Sequence, residues 1–355
     1  VSLAVSLLTR FPPEVAHATA LSVASRLPKS ALAVLAKRYV VDDPRLAVEA
    51  FGLRFPTPLG LAAGYDKDAV ATRASFAFGF GHVEVGTVTR RSQPGNEGPR
   101  LFRVREREAL VNRLGFPNRG VDFACARLRA DQQRLGAPRG VLGVNIGKNK
   151  DVPLERAPDD YAALYREVSE VADYVTVNVS SPNTEGLRSL QSAENLRVLL
   201  RAVADVRTTC TKKPPVLLKI SPDLDDEALE ALVSTALDEG VAGIVATNTT
   251  LSREGIPEYA RTLVGGLSGA PLRARSVEVL RAVVAVTKGR VPVVSVGGIS
   301  SPADVVERLT AGATLVQLYT ALVYRGPALV REISQGLRVH LDRTGARSVA
   351  ELRHG

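Results

Sequence analysis

The sequence predicts an α/β protein of the (β/α)8, or TIM barrel, class, with an N-terminal amphipathic two-helix extension. Three observations lead there. Eight short β-rich runs recur at 59–62, 82–85, 141–145, 174–178, 216–220, 243–247, 293–296 and 315–318. Helical stretches lie between them, among them 159–172, 225–239, 276–287 and 302–311. Almost every run also ends on polar or glycine residues: Asp66 and Lys67, Thr87, Asn145, Asn178, Lys219, Asn248, Gly297 with Gly298, and Tyr319 with Thr320. A doubly wound sheet would alternate similarly. The count of eight and the polar strand ends favour a barrel, whose active site is assembled at that face from several strands.

The bulk composition fits one large folded chain. Of 355 residues, 45% are hydrophobic and 23% charged, near the globular average, so disorder is not expected. The net charge of +9 favours anionic partners: nucleic acid, acidic lipid or an anionic small molecule. Two cysteines, Cys125 and Cys210, stand outside any CxxC pattern, and His17, His82, His340 and His354 are scattered. This excludes a disulfide framework and predicts no metal site. Each histidine is more often a surface or capping residue than a metal ligand. No stretch approaches the roughly 20 apolar residues of a membrane span. Residues 1–10 lack a basic region ahead of the apolar ones, so no secretory signal is read there.

Taken in order, residues 1–41 form the extension and 42–355 the barrel. Pro12 and Pro13 precede a helical pattern carrying Val15, Ala18, Leu21, Ala24 and Leu27, ended by Pro28. A second short helix follows, with Leu32, Leu35 and Tyr39 at helical spacing. Arg10, Arg26, Lys29, Lys37 and Arg38 outnumber the single acid Glu14. Two basic amphipathic helices suit a membrane interface; the alternative is a helical hairpin packed on the body. Within the barrel, Ser301, Pro302 and Asp304 resemble a capped helix start, and Gly240 and Gly312 mark helix ends. The intervals after the second and sixth runs are long, which predicts insertions over the strand-end face.

The chemistry concentrates at that face. Gly297, Gly298, Tyr319 and Thr320 follow the seventh and eighth runs, where barrels commonly bind phosphate through backbone N–H groups. The stretch 265–269 reads as a loop offering further donors. Lys67 and Lys219 sit in the barrel mouth, where a lysine can form a Schiff base, anchor an anion or stabilise charge on a flavin ring. Asn112, Asn145, Asn178, Asn183 and Asn248 each offer one acceptor and two donors, suited to imide and carboxylate edges of a pyrimidine or an isoalloxazine. The stretch 178–188 places Ser181 between two amides. No histidine or carboxylate is placed to complete a triad, so esterase chemistry is not expected.

These motifs together resemble the class 2 dihydroorotate dehydrogenases. The resemblance rests on PLGLAAGYDK at 58–67, GTVT at 86–89, PGN at 94–96, PRLFR at 99–103, NRLGF at 112–116, NIGKNK at 145–150, the Ser181 loop, ATNTT at 246–250 and GGLSG at 265–269. It implies FMN held by Ala63, Gly64, Tyr65, Asp66, Lys67, Thr87, Asn145, Asn178, Lys219, Thr247, Gly269, Gly298, Tyr319 and Thr320. It implies dihydroorotate or orotate against Lys67, Asn112, Arg113, Leu114, Gly115, Phe116, Asn178, Asn183, Asn248 and Thr249. Ser181 would take a proton from C5 while hydride leaves C6, with Thr184 relaying that proton to water.

Class follows from two features. Soluble members carry Cys where this chain has Ser181, and they lack the N-terminal helices. The resemblance therefore implies a membrane quinone, ubiquinone or menaquinone, entering between those helices near His17, Arg103 and Tyr319. It also implies a peripheral protein on the cytoplasmic face of a bacterial inner membrane, or alternatively the mitochondrial inner membrane, with no nucleic-acid partner. Tyr65 departs from the more familiar Leu or Phe. On the residues alone two alternatives stay open: a phosphate-binding lyase or aldolase using Lys219, and a non-catalytic flavin protein.

Overall fold

The computed structural model describes residues 9–135 and 140–353; the first eight residues of the predicted extension, and His354, lie outside them. Proline punctuates the start. Helix α1 (Pro13–Ser25) opens on Pro12 and Pro13, and α2 (Lys29–Tyr39) begins straight after Pro28. Leu32 and Ala36 of α2 bury against Ala74 and Ala77 of α3 (Thr72–Ala77), so this part of the extension packs on the body. An ion pair of 2.8 Å between Glu14 and Arg100 ties down α1.

A small hairpin follows, β1 (Val48–Ala50) and β2 (Leu53–Phe55). Its two-residue turn, Phe51 and Gly52, has both residues left-handed (φ 57° and 76°), the geometry that matches strand twist. Phe55 packs edge-on to His82, and Phe51 lies against Gly243 and near Tyr174. Because His82, Tyr174 and Gly243 begin three barrel strands, the hairpin forms the floor of the barrel.

Strands β3 (Leu59–Leu61), β4 (His82–Val88), β7 (Val141–Ile146), β8 (Tyr174–Asn178), β9 (Val216–Ile220), β10 (Gly243–Ala246), β12 (Val293–Val296) and β13 (Leu315–Leu318) close in sequence order into an all-parallel barrel. They coincide with the eight predicted runs to within three residues at either end. Their apolar residues are buried on both faces, as a parallel sheet covered by helices requires. The covering helices are α4 (Val121–Leu135), α5 (Ala157–Val168), α6 (Ala193–Thr209), α7 (Asp226–Asp238), α9 (Arg273–Thr287), α10 (Pro302–Thr310) and α12 (Ala328–Thr344); α8 (Glu258–Arg261) and α11 (Thr320–Arg325) are short. Ser301 accepts from the Asp304 N–H at 3.2 Å and Asp225 from the Ala228 N–H at 2.8 Å, capping α10 and α7.

The long intervals do reach over the strand-end face. They supply β5 (Leu101–Val104) and β6 (Ala109–Asn112) from one insertion and β11 (Gly266–Gly269) from the other, paired as one antiparallel sheet. Val104, Val111, Ile256 and Leu267 form its own small core. The stretch 265–269 is thus a strand rather than the loop read from its glycines, and much of its backbone is committed to the ladder with β6.

The histidine reading also needs correction. His82 is fully buried inside the barrel, with neither ring nitrogen hydrogen-bonded among the described residues, and burial lowers its pKa to about 3. His17 is half-buried rather than exposed. A neutral His82 acts as a space-filling ring, and Gly60 makes room for it: a Cβ there would lie 2.0 Å from His82 Nε2. Gly60→Ala is expected to cost about 1–3 kcal/mol through overpacking. A urea melt with an unchanged midpoint would show that His82 can move aside.

Candidate active site

The strand ends converge on one pocket of about 1190 Å³, a volume that includes solvent at its open mouth and so exceeds the usual range of cofactor sites. Parallel register sets its floor: Asn178 pairs with Lys219, and Gly86, just before Thr87, pairs with Asn145. The pocket is lined by Ala63, Gly64, Lys67, Thr87, Asn178, Lys219, Thr247, Gly269, Gly298, Tyr319 and Thr320 of the predicted cofactor set. On the side under the β5–β6–β11 sheet, Asn112, Leu114, Gly115, Phe116, Asn183, Asn248 and Thr249 join them, with Ser181.

Seven predicted residues stand off the pocket lining. Asp66 is buried and accepts from the Val70 and Ala71 N–H groups at 2.9 and 2.7 Å, shaping the loop that presents Lys67. Asn145 lies wholly buried one layer down. Arg113 donates its backbone N–H to the Arg100 carbonyl at 2.8 Å. Thr184 is buried behind the Ser181 loop. Tyr65 stacks edge-on between His17, at 5.0 Å, and Tyr319, at 5.6 Å. This aromatic row leads from the pocket wall to α1. Arg103 stays outside it, donating to the Phe11 carbonyl at 2.6 Å.

Electrostatics single out the two lysines. Lys67 donates to the Gly64 carbonyl at 2.6 Å, and burial lowers its pKa to about 8, against the opposing pull of Asp66 and Asp68. Burial likewise lowers the pKa of Lys219, with Glu84 pulling it back up. The Lys219 side chain makes no hydrogen bond among the described residues, so its buried amino group is presented to the pocket. Gln317 adds a buried carbonyl oxygen without a partner among those residues. At the other end, Gly298 adopts φ 68°, and a Cβ there would lie 2.5 Å from Arg273 Cα. A cation, free amide edges and a glycine-walled end fit a polar ring with a phosphate tail.

Ser181 is buried, and its Oγ accepts the Asn183 N–H at 3.2 Å. Asn183 in turn donates to Asn112 Oδ1 at 3.0 Å, joining the Ser181 loop to β6. Four residues escaped the sequence reading, the pocket-lining Gln317 among them. Arg188 donates to the Ser180 and Thr249 carbonyls at 3.1 and 3.2 Å and pairs with Asp223 at 2.8 Å, pinning the Ser181 loop. Arg308, fully buried, donates to the Gly297 carbonyl at 2.9 Å behind the glycine end. Glu84 lies beneath Asn145. Arg188 ends the Ser181 motif, a signal that could have been used; Glu84 and Arg308 look like ordinary strand and helix charges until the barrel closes.

Fold and site define a barrel enzyme whose pocket suits a polar ring with a phosphate tail. Known proteins give the family. The family model described as dihydroorotate dehydrogenase matches residues 45–341. A dihydroorotate dehydrogenase (quinone) from Leifsonia xyli subsp. xyli is 50% identical over 334 residues, covering 93% of this chain and 96% of that protein. One from Halobacterium salinarum is 48% identical over 350 residues, covering 98% and 97%. Among solved structures, a DHODH from Eimeria tenella in complex with ferulenol aligns with a TM-score of 0.87 at 37% identity, covering 96% of this chain and 94% of that one. The ligand-free form from the same organism gives 0.89, covering 96% and 98%. The chain belongs to the dihydroorotate dehydrogenase family, in its quinone-dependent class 2.

Proposed function

We propose that the flavin of this enzyme is FMN, bound along the pocket from Lys219 to Gly298, with the substrate ring held beneath the β5–β6–β11 sheet. The reaction is oxidation of dihydroorotate to orotate in pyrimidine biosynthesis, with a quinone as final acceptor. FMN supplies the hydride acceptor for C6 and the route for electrons to the quinone. The phosphate lies by Gly269, Gly298 and Thr320, where Arg308 adds a buried positive charge behind the glycine end. Lys219 faces the ring edge that gains negative charge, the arrangement in which a fixed cation favours reduction. Asn112, Asn178, Asn183 and Asn248 read the substrate's amide edges, and Lys67 meets its carboxylate. Ser181 takes the C5 proton, and Thr184 passes it outward.

The observation that carries this reading is the single pocket joining Lys67, Ser181, Lys219 and the substrate-reading asparagines to a glycine-walled end. Residues 1–41 act as a separate quinone-entry module on the barrel of 42–355. The exposed Phe11, Val15, Val23 and Val34 face a bilayer surface on a peripheral protein at the cytoplasmic face of a bacterial inner membrane. No described helix is long and apolar enough to cross a membrane. Lys29, Lys37 and Arg38 supply charge for acidic lipid.

The test is anaerobic mixing with dihydroorotate, watching the flavin absorbance, followed by a short-chain ubiquinone or menaquinone. Bleaching that the quinone reverses is expected; a coloured protein that dihydroorotate cannot bleach would sink the assignment of the pocket. Orotate affinity should also carry the titration of Lys67. Its ammonium is present below pH about 8 and lost above it, so the dissociation constant should rise about tenfold per pH unit beyond that point. A flat profile to pH 10 would remove Lys67 from the carboxylate.

A further inference from the structure

Glu84 lies in the middle of β4 and is fully buried inside the barrel. Three other strands deliver donors to it. Asn145 Nδ2 reaches Oε1 at 2.8 Å, while Gln317 Nε2 and the Tyr174 hydroxyl reach Oε2 at 2.9 and 3.1 Å. An ionised carboxylate only accepts, so both amides must turn their NH2 groups toward it and their carbonyl oxygens away.

The consequence spreads upward from Asn145. Its Oδ1 faces the strand ends and accepts from Thr87 Oγ1 at 2.6 Å and from Asn178 Nδ2 at 3.1 Å. Asn178, with its NH2 so committed, offers Oδ1 to Asn248 Nδ2 at 3.3 Å and to Ser180 Oγ at 3.1 Å. Asn248 is then fixed too, its Oδ1 accepting from the Thr249 N–H at 2.8 Å. Gln317 is the second branch: its NH2 is held by Glu84, and its Oε1 is left buried and unpartnered among the described residues. Every amide here could be reversed by a half-turn without changing its shape. Glu84 fixes Asn145 and Gln317 from below, while the backbone N–H groups of Ser180, at 3.3 Å from Asn178 Oδ1, and of Thr249 hold Asn178 and Asn248 in the same sense from above.

We propose that Glu84 is a positioning residue whose buried carboxylate turns the Gln317 oxygen toward the pocket and keeps Asn145 as the acceptor beneath Asn178. The proposal rests on the reading that Asn178 and Asn248 meet orotate. Glu84 touches neither ligand. It acts through Gln317, which lines the pocket, and through Asn145, which lies under Asn178.

Glu84→Gln tests this in the flavin-loaded enzyme. A glutamine offers one accepting and one donating edge, so it cannot satisfy Asn145 and Gln317 in their present directions. One of the two must reverse, which either turns the pocket-facing oxygen of Gln317 into a donor or sets the Asn145 NH2 against that of Asn178. Tyr174→Phe is the control, because it removes a donor to Glu84 without reversing any amide. The readouts are the dissociation constant of orotate, from its perturbation of the flavin spectrum, and that of FMN for the apoprotein. Glu84→Gln is expected to weaken one of them about tenfold or more, with Tyr174→Phe within twofold of the unmodified enzyme. Both constants unchanged in Glu84→Gln would overturn the proposal. An equal loss in Tyr174→Phe would overturn it as well, since the effect would then be general loosening of the core. Failure of orotate to perturb the flavin of the unmodified enzyme would instead count against the reading of the pocket itself.

Discussion

Replacing Ser181 with alanine is expected to slow flavin reduction by dihydroorotate by about 10²- to 10⁴-fold, the usual contribution of a positioned general base. The flavin should stay bound, because the hydroxyl faces the substrate side of the pocket and holds no part of the glycine-walled end. Geometry explains how a hydroxyl can serve. The Asn183 N–H points at Ser181 Oγ, where it stabilises negative charge as the proton is drawn off. Among the described residues no carboxylate or imidazole hydrogen-bonds that oxygen, so a proton taken up there needs a further outlet, the role proposed for Thr184 with water. Arg188 keeps the loop from drifting by holding Ser180 and Thr249 together. Rapid mixing under anaerobic conditions gives the reductive rate directly. A variant that reduces at the unmodified rate would take the base assignment away from Ser181.

The barrel was legible because its strands obey a strong rule. Parallel strands buried on both faces read as continuous apolar runs, and 216–220 or 315–318 show little else. The predicted site was legible for a related reason: Lys67, Asn178, Lys219 and Asn248 interrupt or end such runs, and polar groups there must meet something. The β5–β6–β11 sheet was not legible. Its strands are four residues long, and β6 pairs with a segment more than 150 residues away, so neither partner carries a local signal. The glycines of β11 pointed instead to a loop. Glu84 and Gln317 were hidden by the opposite effect. Each sits inside an apolar run, and only closure of the barrel brings Asn145, Tyr174 and Gln317 around one carboxylate. His82 was misread because one histidine at the head of a strand gives no clue that a glycine on the next strand leaves it space.

Removing residues 1–41 is expected to lower quinone reduction at least about tenfold relative to reduction of a soluble dye. The barrel should survive the cut. The apolar cluster that α2 shares with the body, Leu32 and Ala36 on Ala74 and Ala77, is separate from the main core, to which the described residues of the removed segment add only the partly buried Val41. What the cut does remove is His17, one end of the aromatic row through Tyr65 to Tyr319, and the Phe11 carbonyl that holds Arg103. A hydrophobic acceptor then loses its walled approach to the flavin, while a small dye still reaches the pocket through its solvent-open side. The bilayer contribution can be isolated without truncation. Val15, Val23 and Val34 are exposed, so changing all three to aspartate leaves the buried contacts intact while opposing insertion into lipid. That variant should keep dye-linked activity and lose binding to vesicles of acidic phospholipid. Equal loss of dye and quinone activity in the truncated enzyme would mean that the helices hold the barrel together rather than guide the quinone. Undiminished vesicle binding in the aspartate variant would place the membrane contact elsewhere on the chain.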